Sequence, residues 1–82
     1  MKILFEPKYN LGQKVYIPTH GYEGVVFEGN IHMIKFELHP YGESIHYDVV
    51  VSYHPILDDN YLANISESEV YRTYEEAYKN SI

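Results

Sequence analysis

Residues 44–53, Ser-Ile-His-Tyr-Asp-Val-Val-Val-Ser-Tyr, constrain the fold of this chain more than any other stretch. Ile45, Tyr47, Val49, Val51 and Tyr53 fall on one parity; Ser44, His46, Asp48, Val50 and Ser52 fall on the other. Side chains alternate between the two faces of a strand, so this pattern is a strand with one buried face and one mostly wet face. At 82 residues the chain makes one domain. A domain of that size buries only roughly 60% of its unfolded surface, which leaves a small core and little room for a deep cavity.

The rest of the chain reads outward from that strand. Residues 1–12 are a lead-in punctuated by Pro7 and Gly12, in which Tyr9 and Leu11 can cover an open end of the sheet. Residues 13–18 form a first strand with Val15 and Ile17 on one face, ended by Pro18, which lacks a ladder donor. Residues 22–28 form a second strand, with Gly24 permitting a bulge or tight bend. Gly29-Asn30 is a two-residue hairpin signal in the less favoured order. Residues 31–38 form a third strand with Ile34, Phe36 and Leu38 on one face, and residues 39–43 form a turn. Matching the buried parities places Leu38 opposite Ile45, Phe36 opposite Tyr47 and Ile34 opposite Val49. Lys35 then faces Asp48 as an attractive cross-strand pair, and Glu37 faces His46. Residues 54–64 read as a loop that folds Ile56, Leu57, Tyr61 and Leu62 back on the sheet. Residues 65–72 hold a short last strand or helical turn with Val70 inward. Thr73-Tyr74-Glu75-Glu76 has the form of a capping box, and Tyr74, Ala77, Tyr78 and Ile82 then share one helical face. Residues 13–72 are thus expected to form a small antiparallel barrel of about five strands, closed by a short helix over 73–82.

Composition bounds what such a barrel can do. The chain has no cysteine, so neither disulfides nor thiolate metal sites can staple it, which fits a reducing, cytoplasmic setting. Met1-Lys2-Ile3-Leu4-Phe5 runs at once into Glu6-Pro7, too short for the apolar core of a signal peptide. No uninterrupted apolar run exceeds three residues, as in Val49-Val50-Val51, far from a membrane span. The net charge is −6, and Arg72 is the only arginine. Nucleic-acid binding normally rests on clustered Lys and Arg that neutralise phosphates, so direct binding is not expected. Anionic membrane surfaces repel the chain as well.

Residues 11–17 and 21–26, Leu-Gly-Gln-Lys-Val-Tyr-Ile and Gly-Tyr-Glu-Gly-Val-Val, resemble the opening of many SH3-like barrels, with Gln13 where aspartate is usual. Residues 67–77, Glu-Ser-Glu-Val-Tyr-Arg-Thr-Tyr-Glu-Glu-Ala, resemble the close of small, mostly uncharacterised proteins of Gram-positive phages and mobile elements. The resemblance implies an SH3-like fold and a phage or mobile-element context, in which the expected role is that of an inhibitor or accessory protein acting on a host protein. It implies no catalytic residues.

Chemistry-bearing constellations are sparse. His32 shares parity with Ile34 and Phe36 and belongs on the core side, while His46 lies on the opposite face; no pair of the five histidines has close metal-ligand spacing. There is no glycine-rich phosphate loop, nucleophile elbow or cysteine nucleophile. An enzyme, a cofactor and a metal site are therefore not expected. The ten tyrosines are the unusual feature. Tyrosine couples a large apolar face to a polar tip and suits half-buried sheet positions and interfaces. Tyr16, Tyr22, Tyr41 and Tyr61 are the candidates for a surface that docks a protein partner. Two alternatives stand beside it. A homo-oligomer could hold a nucleotide-like ligand between copies. Alternatively, the six carboxylates between Asp58 and Glu76, with Glu75 and Glu76 at the helix start, could mimic nucleic acid in a basic groove.

Overall fold

The computed structural model describes residues 6–19, 21–52 and 59–82. Its architecture is mainly β: a four-stranded antiparallel sheet in the order β1-β2-β3-β4, followed by one short helix. The strands are β1, Lys14–Pro18; β2, Val26–His39; β3, Gly42–Val51; and β4, Tyr61–Ser66. A single 3₁₀ turn, Glu67–Glu69, leads to helix α1, Tyr74–Lys79. The described sheet is open, with four strands rather than five.

The missing strand is explained by β2. The expected hairpin at Gly29-Asn30 does not form, and the two strands expected on either side of it are one strand of 14 residues. Gly29 serves close approach instead of a turn. A Cβ there would lie 2.6 Å from the carbonyl oxygen of Val50 and 2.7 Å from Val49 Cγ1. Glycine alone lets β1, β2 and β3 come together at this point, where Gly29 faces both Val15 and Val51. Two residues on, a bulge places His32 outside the register between Ile31 and Met33. The bulge re-phases the strand: Phe27 and Ile31 are buried on odd positions, and Ile34 packs on the core from an even one. His32 is consequently exposed, not on the core side.

The β2–β3 turn is tighter than expected. His39 pairs with Gly42, leaving Pro40 and Tyr41 as the loop, and Gly42 takes a φ of 139° that favours glycine. The register therefore moves by two residues while parity is kept. Phe36 faces Ile45, Ile34 faces Tyr47, Lys35 faces His46 and Glu37 faces Ser44. Lys35 still reaches Asp48, now diagonally, with Nζ 3.0 Å from Oδ1. The expected Glu37–His46 pair does not form, and His46 Nδ1 is buried with no hydrogen-bond partner among the described residues.

The core is the cluster expected from β3 parity plus its neighbours. Tyr47, Val49 and Val51 pack with Val15, Ile17, Phe27, Ile31, Val70 and Tyr9. Tyr9 seals one end: its ring meets Tyr47 edge-on at 5.5 Å and its hydroxyl donates to the Val70 carbonyl at 2.7 Å. Leu11, expected to share that task, is exposed. Tyr61 and Leu62 lie in β4 rather than in a loop; Tyr53, His54, Ile56 and Leu57 lie outside the described residues. After the 3₁₀ turn, Tyr71 exchanges two main-chain hydrogen bonds of 2.9 Å with Tyr16 on the outer edge of β1. The Thr73 hydroxyl caps α1 by accepting the Glu76 N–H at 3.2 Å, and Ala77 is the buried residue of the helix.

Candidate functional site

The sheet is of two parts, and the division follows from where the outer strands stop. β1 pairs with β2 only over residues 26–30, and β4 pairs with β3 only over residues 46–50. Beyond those limits, among the described residues, β2 and β3 continue to their turn as a two-stranded arm. Fourteen residues at about 3.3 Å each give β2 the reach of the whole molecule, whose longest dimension is 45 Å against 23 and 20 Å for the others. The arm exposes Met33, Leu38 and, at its tip, Tyr41, which is 96% exposed.

At the root of the arm sits a buried carboxylate. Asp48 is 4% exposed although it lies on the face read as wet. Both neighbouring strands bulge around it. β2 carries the extra residue His32, and β4 carries an extra residue beside Asn64, whose φ of 56° is left-handed. The bulges aim three donors at the carboxylate: the Tyr61 hydroxyl, the Asn64 N–H at 3.0 Å and Lys35 Nζ at 3.0 Å. Lys35 also donates to Asn64 Oδ1 at 2.9 Å, and the His32 ring rests edge-on against Tyr61 at 5.7 Å. Burial pushes the Asp48 pKa up, but the three donors outweigh it and hold the group at about 2. Donation to Asp48, joined by burial, raises the Tyr61 hydroxyl above its ordinary value. Every oxygen of Asp48 is engaged, so the cluster acts as a brace that fixes the angle of the arm.

A second brace lies on the core face. The Tyr47 hydroxyl and the Lys8 N–H both donate to Glu67 Oε2, and burial, then the bond to Glu67, drives the Tyr47 pKa well above the usual range. Beside it opens a shallow cleft of about 530 Å³, lined by Glu6, Lys8, Glu43, Ser44, Ile45, Ser66, Glu67 and Ser68.

The tyrosines expected to share one surface are dispersed over four places. Tyr16 meets Tyr74 of α1 edge-on at 6.2 Å and donates to Glu28 at 3.2 Å; Glu75 and Glu76 stand nearby in the first turn of that helix. Tyr22 is exposed in the β1–β2 turn, where its carbonyl accepts from the Thr19 hydroxyl at 2.8 Å. Tyr61 belongs to the Asp48 brace, and Tyr41 stands alone at the arm tip. The acidic residues are likewise spread: Asp59 caps the start of β4 by accepting the Tyr61 N–H, and Glu67 is held by Tyr47. Asp48 and Glu67 are the residues that the sequence reading missed. The usable signal was a lone carboxylate set among apolar neighbours, Tyr47 before it and three valines after it.

Comparison with known protein families, with curated proteins and with solved structures finds no match to this chain. Among the described residues, no helix is long and apolar enough to cross a membrane.

Proposed function

We propose that this chain is a non-catalytic protein-binding module that docks its partner with the β2–β3 arm. The observation that carries the reading is the arm itself. An isolated two-stranded hairpin is marginal in water, yet this one extends past both flanking strands, is braced at its root by Asp48, and displays Met33, Leu38 and Tyr41. A braced, apolar-tipped projection fits the common anatomy of a docking surface, in which aromatic and aliphatic anchors carry most of the energy. Of the tyrosines singled out in the sequence, Tyr41 is the anchor in this reading; Tyr16 and Tyr61 serve the scaffold.

The finer fold reading is an SH3-like barrel. The 3₁₀ turn after β4 and the Tyr71–Tyr16 pairing support it, because they carry the chain from the last strand back to the first. The resemblance of residues 67–77 to phage and mobile-element proteins supports an inhibitor or accessory role toward a host protein. Affinity capture at physiological salt tests the module. The wild-type chain should retain a protein that the double variant Leu38→Ser with Tyr41→Ala loses, with both melting alike. Equal capture by the two would sink the arm as the surface. Loss of capture in Glu75→Lys with Glu76→Lys instead would promote the nucleic-acid-mimic reading.

A further inference from the structure

Helix α1 completes a row of aromatic rings beside β1. Its Tyr74 and Tyr78 rings stack, with centroids 6.1 Å apart and planes 23° from parallel. Tyr16 of β1 meets Tyr74 edge-on at 6.2 Å. At the other end Tyr78 lies against Gly24, where an added Cβ would stand 3.4 Å from its Cε2. Gly24 has a left-handed φ of 77°, so the turn itself lays its backbone on that ring. At about 100° per helical residue, Tyr74 and Tyr78 share one flank of the buried Ala77, and Glu76 lies on the other. The contact that buries Ala77 leaves Tyr74 and Tyr78 52% and 42% exposed.

Carboxylates border the row. Glu28 accepts from the Tyr16 hydroxyl at one end, and Glu23 precedes Gly24 at the other. Glu75 is exposed alongside, one residue after Tyr74 and three before Tyr78, a spacing that makes it a neighbour of the Tyr78 ring. The nearby cations are Lys14, 3.6 Å from Glu28, and Lys79 in the last turn of α1. An aromatic face attracts a cation, and the chain uses this attraction internally: Arg72, its only arginine, sits 5.7 Å over the Tyr9 ring. Among the described residues, no cation covers Tyr74 or Tyr78 in the same way.

We infer that this face, Tyr16, Tyr74 and Tyr78 with Glu75 beside them, binds an arginine-bearing segment of another protein. Charge decides the occupant. A second copy of the chain would bring the same carboxylates, and a nucleic acid would bring phosphates; both are repelled. A neutral apolar surface would be set against Glu75 with nothing to pair it. A guanidinium meets both features at once. It is planar and weakly hydrated, so it stacks on a tyrosine ring while its in-plane N–H groups donate to a carboxylate; the compact, strongly hydrated ammonium of lysine does this less well. The net charge of −6 draws such a segment in. The inference is independent of the arm, because α1 packs by β1 and the β1–β2 turn.

Tyrosine-ring NMR with acetylated, amidated tetra-arginine tests it. The Tyr74 and Tyr78 ring signals should move on titration, and those of Tyr41 should stay. Tyr74→Leu with Tyr78→Leu should weaken binding by about tenfold or more. Glu75→Gln should weaken it further than Glu76→Gln does. Tetra-lysine should bind less tightly than tetra-arginine, and the uncharged tetra-citrulline should not bind. Absence of binding at millimolar tetra-arginine overturns the inference. So do equal affinity for tetra-lysine, equal losses in Glu75→Gln and Glu76→Gln, or shifts spread over the exposed carboxylates with no preference for the two rings, each of which would mean diffuse acidity and not a site. Shifts at Tyr41 instead would put the peptide on the arm, removing this inference and leaving the docking reading standing. The wild-type ring shifts decide the matter if the double leucine variant fails to fold.

Discussion

At the scale of single residues, Asp48 is the clearest case of a side chain whose role the sequence concealed. Parity alone puts it on the wet face, and that much is right. It is buried because bulges in both neighbouring strands fold Tyr61, Asn64 and Lys35 over it, and bulges leave no pattern in one strand read alone. Its native pKa of about 2 lies below the ordinary 3.8. The unfolded chain therefore takes up this proton at higher pH than the native chain. The stabilisation is complete above about pH 4 and is lost as pH falls through 2. Tyr61→Phe removes one of the three donors. Its loss should destabilise the fold at neutral pH and move the Asp48 titration upward. A carboxyl ¹³C titration of both proteins checks it; an unmoved Asp48 would show that the hydroxyl does not hold the carboxylate.

At the scale of elements, the legible parts were those with an uninterrupted phase. β3 shows its buried parity at Tyr47, Val49 and Val51, and α1 shows its cap at Thr73. β2 was read as two strands because the His32 bulge gives its halves opposite parity, which is also what a turn between two strands produces. The Gly29-Asn30 pair then supplied a plausible turn in the wrong place. The register slipped by two because the Pro40–Tyr41 loop is shorter than a five-residue turn. Parity survives a slip of two, so Tyr47, Val49 and Val51 kept the buried face and Ile34 still packs on it, but the cross-strand pairs changed, and Phe36 and Leu38, expected on that face, are exposed because the strands run on beyond the core. Gly29→Ala separates a strand from a turn at this position. Its Cβ would press on the Val50 carbonyl, and the variant should lose about 1–3 kcal/mol. Gly21→Ala, where the added carbon meets nothing within 4 Å, should change stability by less than about 0.5 kcal/mol. Equal denaturation midpoints would contradict the close approach.

At the scale of the whole molecule, a small core supports an arm that runs on past the outer strands. Tyr9, Tyr47 and Val70 hold one end of that core together, while the Asp48 brace stiffens the point where the arm departs. The arm was not legible in the sequence because it depends on where β1 and β4 stop, and strand ends are set by tertiary contacts such as Gly12 with Ile31. The scattered tyrosines show the same limit: their number suggested one surface, and the fold uses most of them as scaffold. The central claim is that β2 and β3 run on together past the ends of β1 and β4. Site-resolved amide exchange on the dilute chain tests it most directly. Lys35, Glu37 and His39, facing β3, should be protected, while the Ile34 and Leu38 amides, which no described strand faces, exchange faster. Protection of Ile34 and Leu38 equal to that of the other three would mean that another part of the same chain covers that edge, and would contradict the account.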